Sequence, residues 1–200
     1  LAMKDLEIRG AGNLLGSEQS GHMAAVGFDL YSRLLEEAVE ELKYSKSPTS
    51  SSPALPRAVV TLPITAFIPE EYISDMPQRL MIYQRLSQIN SVEELDKIHE
   101  ELRDRFGQLP PALANLVYLV TIKLLAEAAG VKSVTNDRSF FMLRLIESTG
   151  GARSALSSYL GRSFHIGDKL IKGRLVGDWT RSLTSVLQDL ARFRYKTLEL

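Results

Sequence analysis

The sequence predicts an α+β protein made of a short N-terminal unit and a larger C-terminal body. The chain has 200 residues, of which 44% are hydrophobic and 24% are charged, a composition typical of folded globular proteins. Nine of the twelve residues between 45 and 56 are Ser, Thr or Pro, which favours a flexible linker. Before residue 130, apolar residues recur at the spacing of a helix. After it, the pattern is that of paired β-strands. We therefore predict a loop-helix unit at 1–45, a linker at 46–56 and a C-terminal domain at 57–200.

In the N-terminal unit, a glycine-rich loop precedes an amphipathic helix. Five of the 13 glycines lie between Gly10 and Gly27, so the backbone there can adopt conformations that other residues disfavour. From residue 29 to residue 44, apolar side chains recur at helical spacing and glutamates occupy the opposite face. The apolar positions are Leu30, Leu34, Leu35, Ala38, Val39 and Leu42.

Residues 57–130 are predicted to be mainly helical, after one edge strand. The strand spans 57–68 and is interrupted by Pro63, which cannot donate to a ladder. Pro77 is expected to open a first helix. Ser91 and Glu94 form a capping box for a second helix that ends at Gly107. A third helix runs from Pro110-Pro111 to Gly130.

Residues 131–200 are predicted to form a small α/β subdomain with two hairpins. The first hairpin joins 131–135 to 140–146, and the second joins 164–166 to 170–176. A short helix at 152–160 separates them, and a last helix covers 179–195, with Trp179 as a packing anchor.

Composition excludes several classes of function. The 24 basic and 24 acidic residues balance, so no overall field attracts polyanions. There is no cysteine, which excludes disulfides and thiolate zinc sites. No phosphate-binding loop or H-E-x-x-H segment occurs, and His22, His99 and His165 are far apart. We therefore expect no catalytic residues, no metal site, no resident cofactor and no membrane partner.

The segment with the most distinctive chemistry is residues 5–21, DLEIRGAGNLLGSEQSG. Glycines surround Arg9, Asn13 and Gln19, so backbone amides and a guanidinium can approach a phosphate or another loop. A tight connection with no binding role is the alternative interpretation of such a glycine cluster.

Residues 5–21, followed by VGFDLY at 26–31, resemble the translocation motif of the transcription-repair coupling factors, which RecG-type DNA translocases share. Downstream, FIPEEYI at 67–73 and ELRDRFGQLP at 101–110 resemble the C-terminal domain of the same family. The resemblance covers about the first 130 residues of the chain.

This resemblance implies a function for the whole protein. Such proteins carry two RecA-like lobes that hydrolyse ATP with Mg²⁺, move along double-stranded DNA, displace stalled RNA polymerase and recruit UvrA in the bacterial cytoplasm. The present chain is expected to begin after the second lobe and not to hydrolyse ATP by itself. Arg9 and Gln19, with Gly10, Gly12 and Asn13, match the positions that couple ATP hydrolysis to translocation.

The C-terminal domain resembles the part of these proteins that masks the UvrA-binding module. Lys97, Glu101 and Asp104 fall at i, i+4 and i+7 on the second helix, opposite its apolar stripe. We expect this polar stripe to be the docking surface; a merely solvated helix face is the alternative.

An independent DNA-binding module is the second hypothesis. Residues 138–200 carry 11 basic and 5 acidic groups, and Arg192, Arg194 and Lys196 cluster near the end. Such a local excess of cations favours contact with phosphates.

Overall fold

The computed structural model describes residues 57–198, and the side chains of residues 57–194. It confirms an α+β fold. The predicted unit at 1–45 and the predicted linker at 46–56 lie outside the described residues. The helices are α1 (Met76–Gln88), α2 (Val92–Phe106), α3 (Pro111–Ala128), α4 (Arg153–Leu160) and α5 (Trp179–Leu198). The strands are β1 (Val59–Val60), β2 (Val131–Asn136), β3 (Phe140–Leu145), β4 (Phe164–Ile166) and β5 (Leu170–Arg174).

The five strands form one mixed sheet in the order β1-β2-β3-β5-β4. Both predicted hairpins are present as the antiparallel pairs β2–β3 and β4–β5, and an antiparallel β3–β5 pair joins them. Strand β1 lies at the edge, parallel to β2. The β2 strand has a bulge between Val131 and Ser133.

The predicted edge strand is much shorter than expected. Only Val59 and Val60 pair with β2, although the sequence predicts a strand over 57–68. Beyond them the chain leaves the sheet before Pro63, because proline has no N–H to donate to a ladder. Hydrogen bonds to the helices then hold the segment. The backbone N–H of Ile68 donates to the Tyr83 hydroxyl at 2.7 Å, and that of Phe67 donates to the carbonyl oxygen of Ala112 at 3.2 Å.

The first helix begins beside the predicted Pro77, and the second begins and ends at its predicted caps. The Asp75 carboxylate accepts a hydrogen bond from the Gln78 N–H at the start of α1. The Ser91 hydroxyl accepts one from the Glu94 N–H at 3.2 Å at the start of α2. Gly107 ends α2 with φ of 86°, a conformation that favours glycine.

Two cores hold the described body together, and α3 contributes to both. The helical core lies between α1, α2 and α3, and the sheet core lies between one face of the sheet and α3, α4 and α5. Residues Leu113 and Leu116 of α3 are buried in the helical core, whereas Ile122 and Ala126 are buried in the sheet core. Among the described residues, α3 is the one helix long and apolar enough to cross a membrane. Its position between the two cores accounts for its apolar composition.

The inward face of the sheet is tightly packed around the ring of Phe141. Phe141, Leu143 and Ile171 point into the sheet core with no exposed surface. Gly173 lies opposite Phe141 across β3 and β5. A Cβ at Gly173 would approach the Phe141 ring to 2.2 Å, so only a glycine fits there. Trp179, at the start of α5, packs against this core, as its predicted anchor role requires.

Candidate docking surface on helix α2

The predicted functional residues fall into two groups, of which the structure describes one. Arg9, Gly10, Gly12, Asn13 and Gln19 lie outside the described residues, and their predicted coupling role remains a prediction. The three residues of the predicted docking surface, Lys97, Glu101 and Asp104, lie on α2 and are described.

Helix α2 is amphipathic, and its orientation places the polar stripe outward. Leu95, Ile98 and Leu102 are buried in the helical core. Lys97 and Asp104 are exposed on the opposite side. Glu101 lies at the border of the buried face, where its side chain is 34% exposed and can reach the neighbouring helix α1.

Two arginines hold the Glu101 carboxylate. Arg85, in the last turn of α1, donates from Nη2 to Oε2 at 2.7 Å and from Nη1 to Oε1 at 3.0 Å. Arg105, one turn further along α2, donates from Nη1 to Oε1 at 3.1 Å. The hydrogen bonds from Arg85, followed by that from Arg105, lower the pKa of Glu101 to about 2. Glu101 is therefore an anion that is already compensated within the chain.

The C-terminal end of α2 is fixed by Tyr72. Its hydroxyl lies 3.0 Å from the carbonyl oxygens of Leu102 and of Gly107. The rings of Tyr72 and Phe106 are 5.7 Å apart, and the Arg105 guanidinium lies 5.0 Å from the Phe106 ring centre. Because Tyr72 belongs to segment 67–73 and its partners belong to segment 101–110, the fold brings the two family-like segments into contact.

The three residues of the predicted surface thus differ in electrostatic state. Asp104 makes no hydrogen bond or ion pair with any residue that the structure describes. Lys97 attracts the carboxylate of Glu93, one turn earlier in α2. Glu101 is engaged by Arg85 and Arg105. Sequence reasoning missed both arginines: the i,i+4 spacing of Glu101 and Arg105 could have indicated one, but no local pattern indicates a partner 16 residues upstream.

The basic cluster near the chain end is also partly compensated. Arg192 lies 3.8 Å from the carboxylate of Asp189, and Arg194 lies 3.9 Å from that of Glu147. The Arg194 guanidinium also lies against the backbone of Gly130, where an added Cβ would be 2.8 Å from Nη1. The side chain of Lys196 is not described. Two of the three cations proposed for DNA contact are therefore engaged within the chain.

No metal-binding arrangement accompanies these surfaces in the part of the chain that the structure describes. Within it, no group of three or more His, Asp or Glu side chains is placed to hold a metal ion. A cavity of about 170 Å³ lies between the end of α3 and helices α4 and α5, where Leu145, Leu156 and Phe193 line it. These residues lie away from α2.

The chain is similar in sequence to transcription-repair-coupling factors from several bacteria. The TRCF domain family matches residues 62–153. The transcription-repair-coupling factor of Bacillus subtilis is 32% identical over 211 residues, which cover 99% of this chain and 18% of that protein. The factor of Haemophilus influenzae is 44% identical over 131 residues, which cover 66% of this chain and 11% of that protein. The factor of Myxococcus xanthus is 45% identical over 124 residues, 62% of this chain and 10% of that protein.

A solved structure shares the fold. The crystal structure of the C-terminal domain of a transcription-repair coupling factor aligns with a TM-score of 0.58 and 19% sequence identity. The alignment covers 72% of this chain and 96% of that one.

The helical layer, the mixed sheet and the matched segment together define a TRCF domain. The chain belongs to the family of the transcription-repair-coupling factors. It spans less than a fifth of the length of these relatives.

Proposed function

We propose that this chain is the C-terminal regulatory part of a bacterial, cytoplasmic transcription-repair coupling factor. The parent is an ATP-dependent translocase on double-stranded DNA that displaces stalled RNA polymerase and recruits UvrA for excision repair. Residues 57–200 mask the UvrA-binding module, and residues 1–45 couple ATP hydrolysis in the motor lobes to translocation. ATP and Mg²⁺ bind in those lobes, so this segment does not hydrolyse ATP by itself. The observation that carries the masking proposal is that α2, with its polar outer face, lies inside the segment that matches the TRCF domain.

The outer face of α2 has the chemistry of a reversible docking surface. Asp104 offers an exposed carboxylate with no partner among the described residues, to which a cation of the masked module can bind. Glu101 can accept a second cation by releasing Arg105, whose side chain is 55% exposed and more accessible than that of Arg85, at 42%. Each exposed ion pair contributes only about 0.2–1 kcal/mol. Such a mask is released without unfolding the domain.

Removal of both carboxylates from the full-length protein tests the masking proposal. Glu101→Ala combined with Asp104→Ala is expected to weaken the mask and to strengthen UvrA binding, measured by surface plasmon resonance. Glu70→Ala combined with Glu71→Ala is the matched control, because it removes the same charge from an exposed turn outside α2. Unchanged UvrA affinity in the α2 variant, or an equal increase in the control, would show that α2 is not the masking surface.

Substitution of Arg9 in the full-length protein tests the coupling proposal. The planar guanidinium can hold carboxylate or phosphate groups bidentately and exchange them as the lobes move. Arg9→Ala is expected to abolish translocation, measured by strand displacement, and to leave ATP hydrolysis partly intact. Arg9→Lys should not restore translocation, because an ammonium lacks the planar fork. Arg33→Ala, on the predicted N-terminal helix, is the control; normal strand displacement by Arg9→Ala contradicts the assignment.

A further inference from the structure

The sheet has a second face, opposite the sheet core, which carries cations and apolar side chains in pairs. On the central strands β3 and β5, the residues that point away from the core face one another across the ladder. The three cross-strand pairs are Phe140 with Arg174, Met142 with Lys172, and Leu170 with Arg144. Each pair therefore joins one apolar side chain and one cation. We call these six residues the outer sheet face.

The outer sheet face is open in the part of the chain that the structure describes. Phe140, Met142 and Leu170 are half-buried, but none of them packs against the sheet core or the helical core. The helices α3, α4 and α5 all contribute to the core on the other face. Their cross-strand neighbours lie directly opposite them, close enough for side chains to interact. Apolar groups that lie next to one another on an open surface and are rimmed by polar residues mark interaction sites.

Two of the three cations of this face have no partner among the described residues, in contrast to Arg85 and Arg105 on the helices. Arg144 and Arg174 make no hydrogen bond or ion pair with any described residue. Lys172 attracts the exposed carboxylate of Asp137, which lies in the β2–β3 turn. The remaining outward positions of β2 and β4 carry Ser133, Thr135 and His165, so none of the outward strand positions holds a carboxylate. Lys132, exposed at the β2 bulge, adds a further positive charge beside this face.

We propose that the outer sheet face binds single-stranded nucleic acid. The three cations bind backbone phosphates, and the apolar side chains beside them contact the faces of unpaired bases. A duplex stacks its bases internally and offers mainly phosphates to a flat surface. The apolar side chain of each cross-strand pair would then have no base to contact. The Asp and Glu side chains of an acidic peptide satisfy the cations but supply no ring to stack on Phe140. The alternation of one cation with one apolar side chain fits the repeating phosphate and base of a single strand.

The size of the face sets the length of strand that it can hold. Successive outward residues on one strand are about 6.8 Å apart and neighbouring strands about 4.8 Å apart. The three rows of pairs therefore cover about 14 Å along the strands. Sheet surfaces of this size in RNA-binding domains stack two or three bases on aromatic side chains. We expect a site of about two to four nucleotides centred on Met142 and Lys172.

Fluorescence anisotropy with the 200-residue chain and a labelled oligothymidylate tests the proposal. Three phosphate contacts predict a salt slope of about −2 for log affinity against log salt. Lys172→Gln combined with Arg174→Gln should weaken binding about tenfold or more at low salt and reduce the slope to about −0.7. The matched control, Arg103→Gln combined with Arg181→Gln, removes the same charge from exposed positions on α2 and α5 and should bind as the parent chain does.

A second variant separates base contact from charge. Phe140→Leu keeps an apolar side chain but removes the ring, and should weaken binding about fivefold or more with an unchanged salt slope. Circular dichroism melts verify that each variant is folded. The proposal is overturned if the parent chain does not bind the oligonucleotide, or if the control loses as much affinity as the sheet variant. It is also overturned if a DNA duplex binds as tightly as the single strand. A further contrary result is that polyglutamate of equal charge displaces the labelled strand as well as unlabelled oligothymidylate does, which assigns the face to an acidic protein.

Discussion

At the scale of single residues, Glu101 is the described side chain whose pKa its neighbours shift most. It receives two hydrogen bonds from Arg85 on α1 and one from Arg105 on its own helix. The Arg85 contact connects α1 to α2 across the surface of the helical core. Glu101 therefore stabilises the packing of two helices as well as offering a charge to a partner.

The ionisation of Glu101 makes a part of the stability depend on pH. Its pKa is lowered from 4.5 to about 2 in the folded state, so its stabilising contribution is fully present above about pH 4.5 and is lost as the pH falls towards 2. Glu101→Gln should lower the free energy of unfolding by about 1 kcal/mol at pH 7, because the pairs are exposed and screened. Thermal melts from pH 7 to pH 2 should show this difference shrinking between pH 4.5 and pH 2.

Glu100→Gln is the control for that series. Glu100 is exposed on the same helix and forms no ion pair with the described residues. Its substitution should change stability little at any pH. If Glu101→Gln lost no more stability than Glu100→Gln at neutral pH, the arginine contacts would contribute nothing to folding.

At the scale of elements, α2 shows how local sequence defines a helix. The Ser91 hydroxyl caps the N–H of Glu94, and the Glu94 carboxylate accepts the N–H of Asn90 at 3.0 Å. Glu93 and Glu94 lie in the first turn and Arg103 and Arg105 in the last, as the helix dipole favours. This element forms the candidate docking surface, so its caps also determine where that surface begins and ends.

Loss of the N-terminal cap should destabilise the domain measurably. Ser91→Ala removes the acceptor for the Glu94 N–H and should lower the free energy of unfolding by about 1 kcal/mol in urea titrations. Ser91→Asp restores an acceptor at the helix N-terminus and should recover most of that loss. Equal stability of Ser91→Ala and the parent chain would mean that water replaces the cap without penalty.

The elements that could be predicted from the sequence are those with local signals. Caps, terminal glycines and turn residues predicted α1, α2, α3 and both hairpins, because each signal acts within a few residues. The short β1 was not predicted, since its length depends on where the chain must leave the sheet to pack on α1 and α3. The last helix extends to Leu198, slightly beyond the predicted end at residue 195.

The candidate surfaces were less predictable than the elements, because their charges depend on tertiary neighbours. The polar stripe of Lys97, Glu101 and Asp104 follows from helical spacing. The Arg85 contact with Glu101 does not, since the two residues lie on different helices. Likewise, the outer sheet face depends on the β3–β5 pairing between the two hairpins, which no local pattern indicates.

At the scale of the whole molecule, α3 joins two cores that the sequence would assign to separate subdomains. The predicted division near residue 130 follows the change from helical to β-like patterns. In the structure, the first turns of α3 are buried among α1 and α2, and its later turns contribute to both cores, with Val120 and Leu124 in the helical core and Ile122 and Ala126 in the sheet core. Since most of the stability of a helix in a protein comes from its tertiary packing, each core depends on the other to keep α3 folded.

This dependence predicts that the two cores unfold together. Leu113→Ala, in the helical core, and Leu187→Ala, in the sheet core, each remove a fully buried side chain and should cost about 2–5 kcal/mol. Trp179, the only tryptophan, packs on the sheet core and reports its unfolding by fluorescence. Leu113→Ala should therefore move the urea midpoint of Trp179 fluorescence as it moves that of far-UV circular dichroism. The contrary result would be that Leu113→Ala lowers the urea midpoint of far-UV circular dichroism but not that of Trp179 fluorescence. The sheet core would then fold independently of α1 and α2.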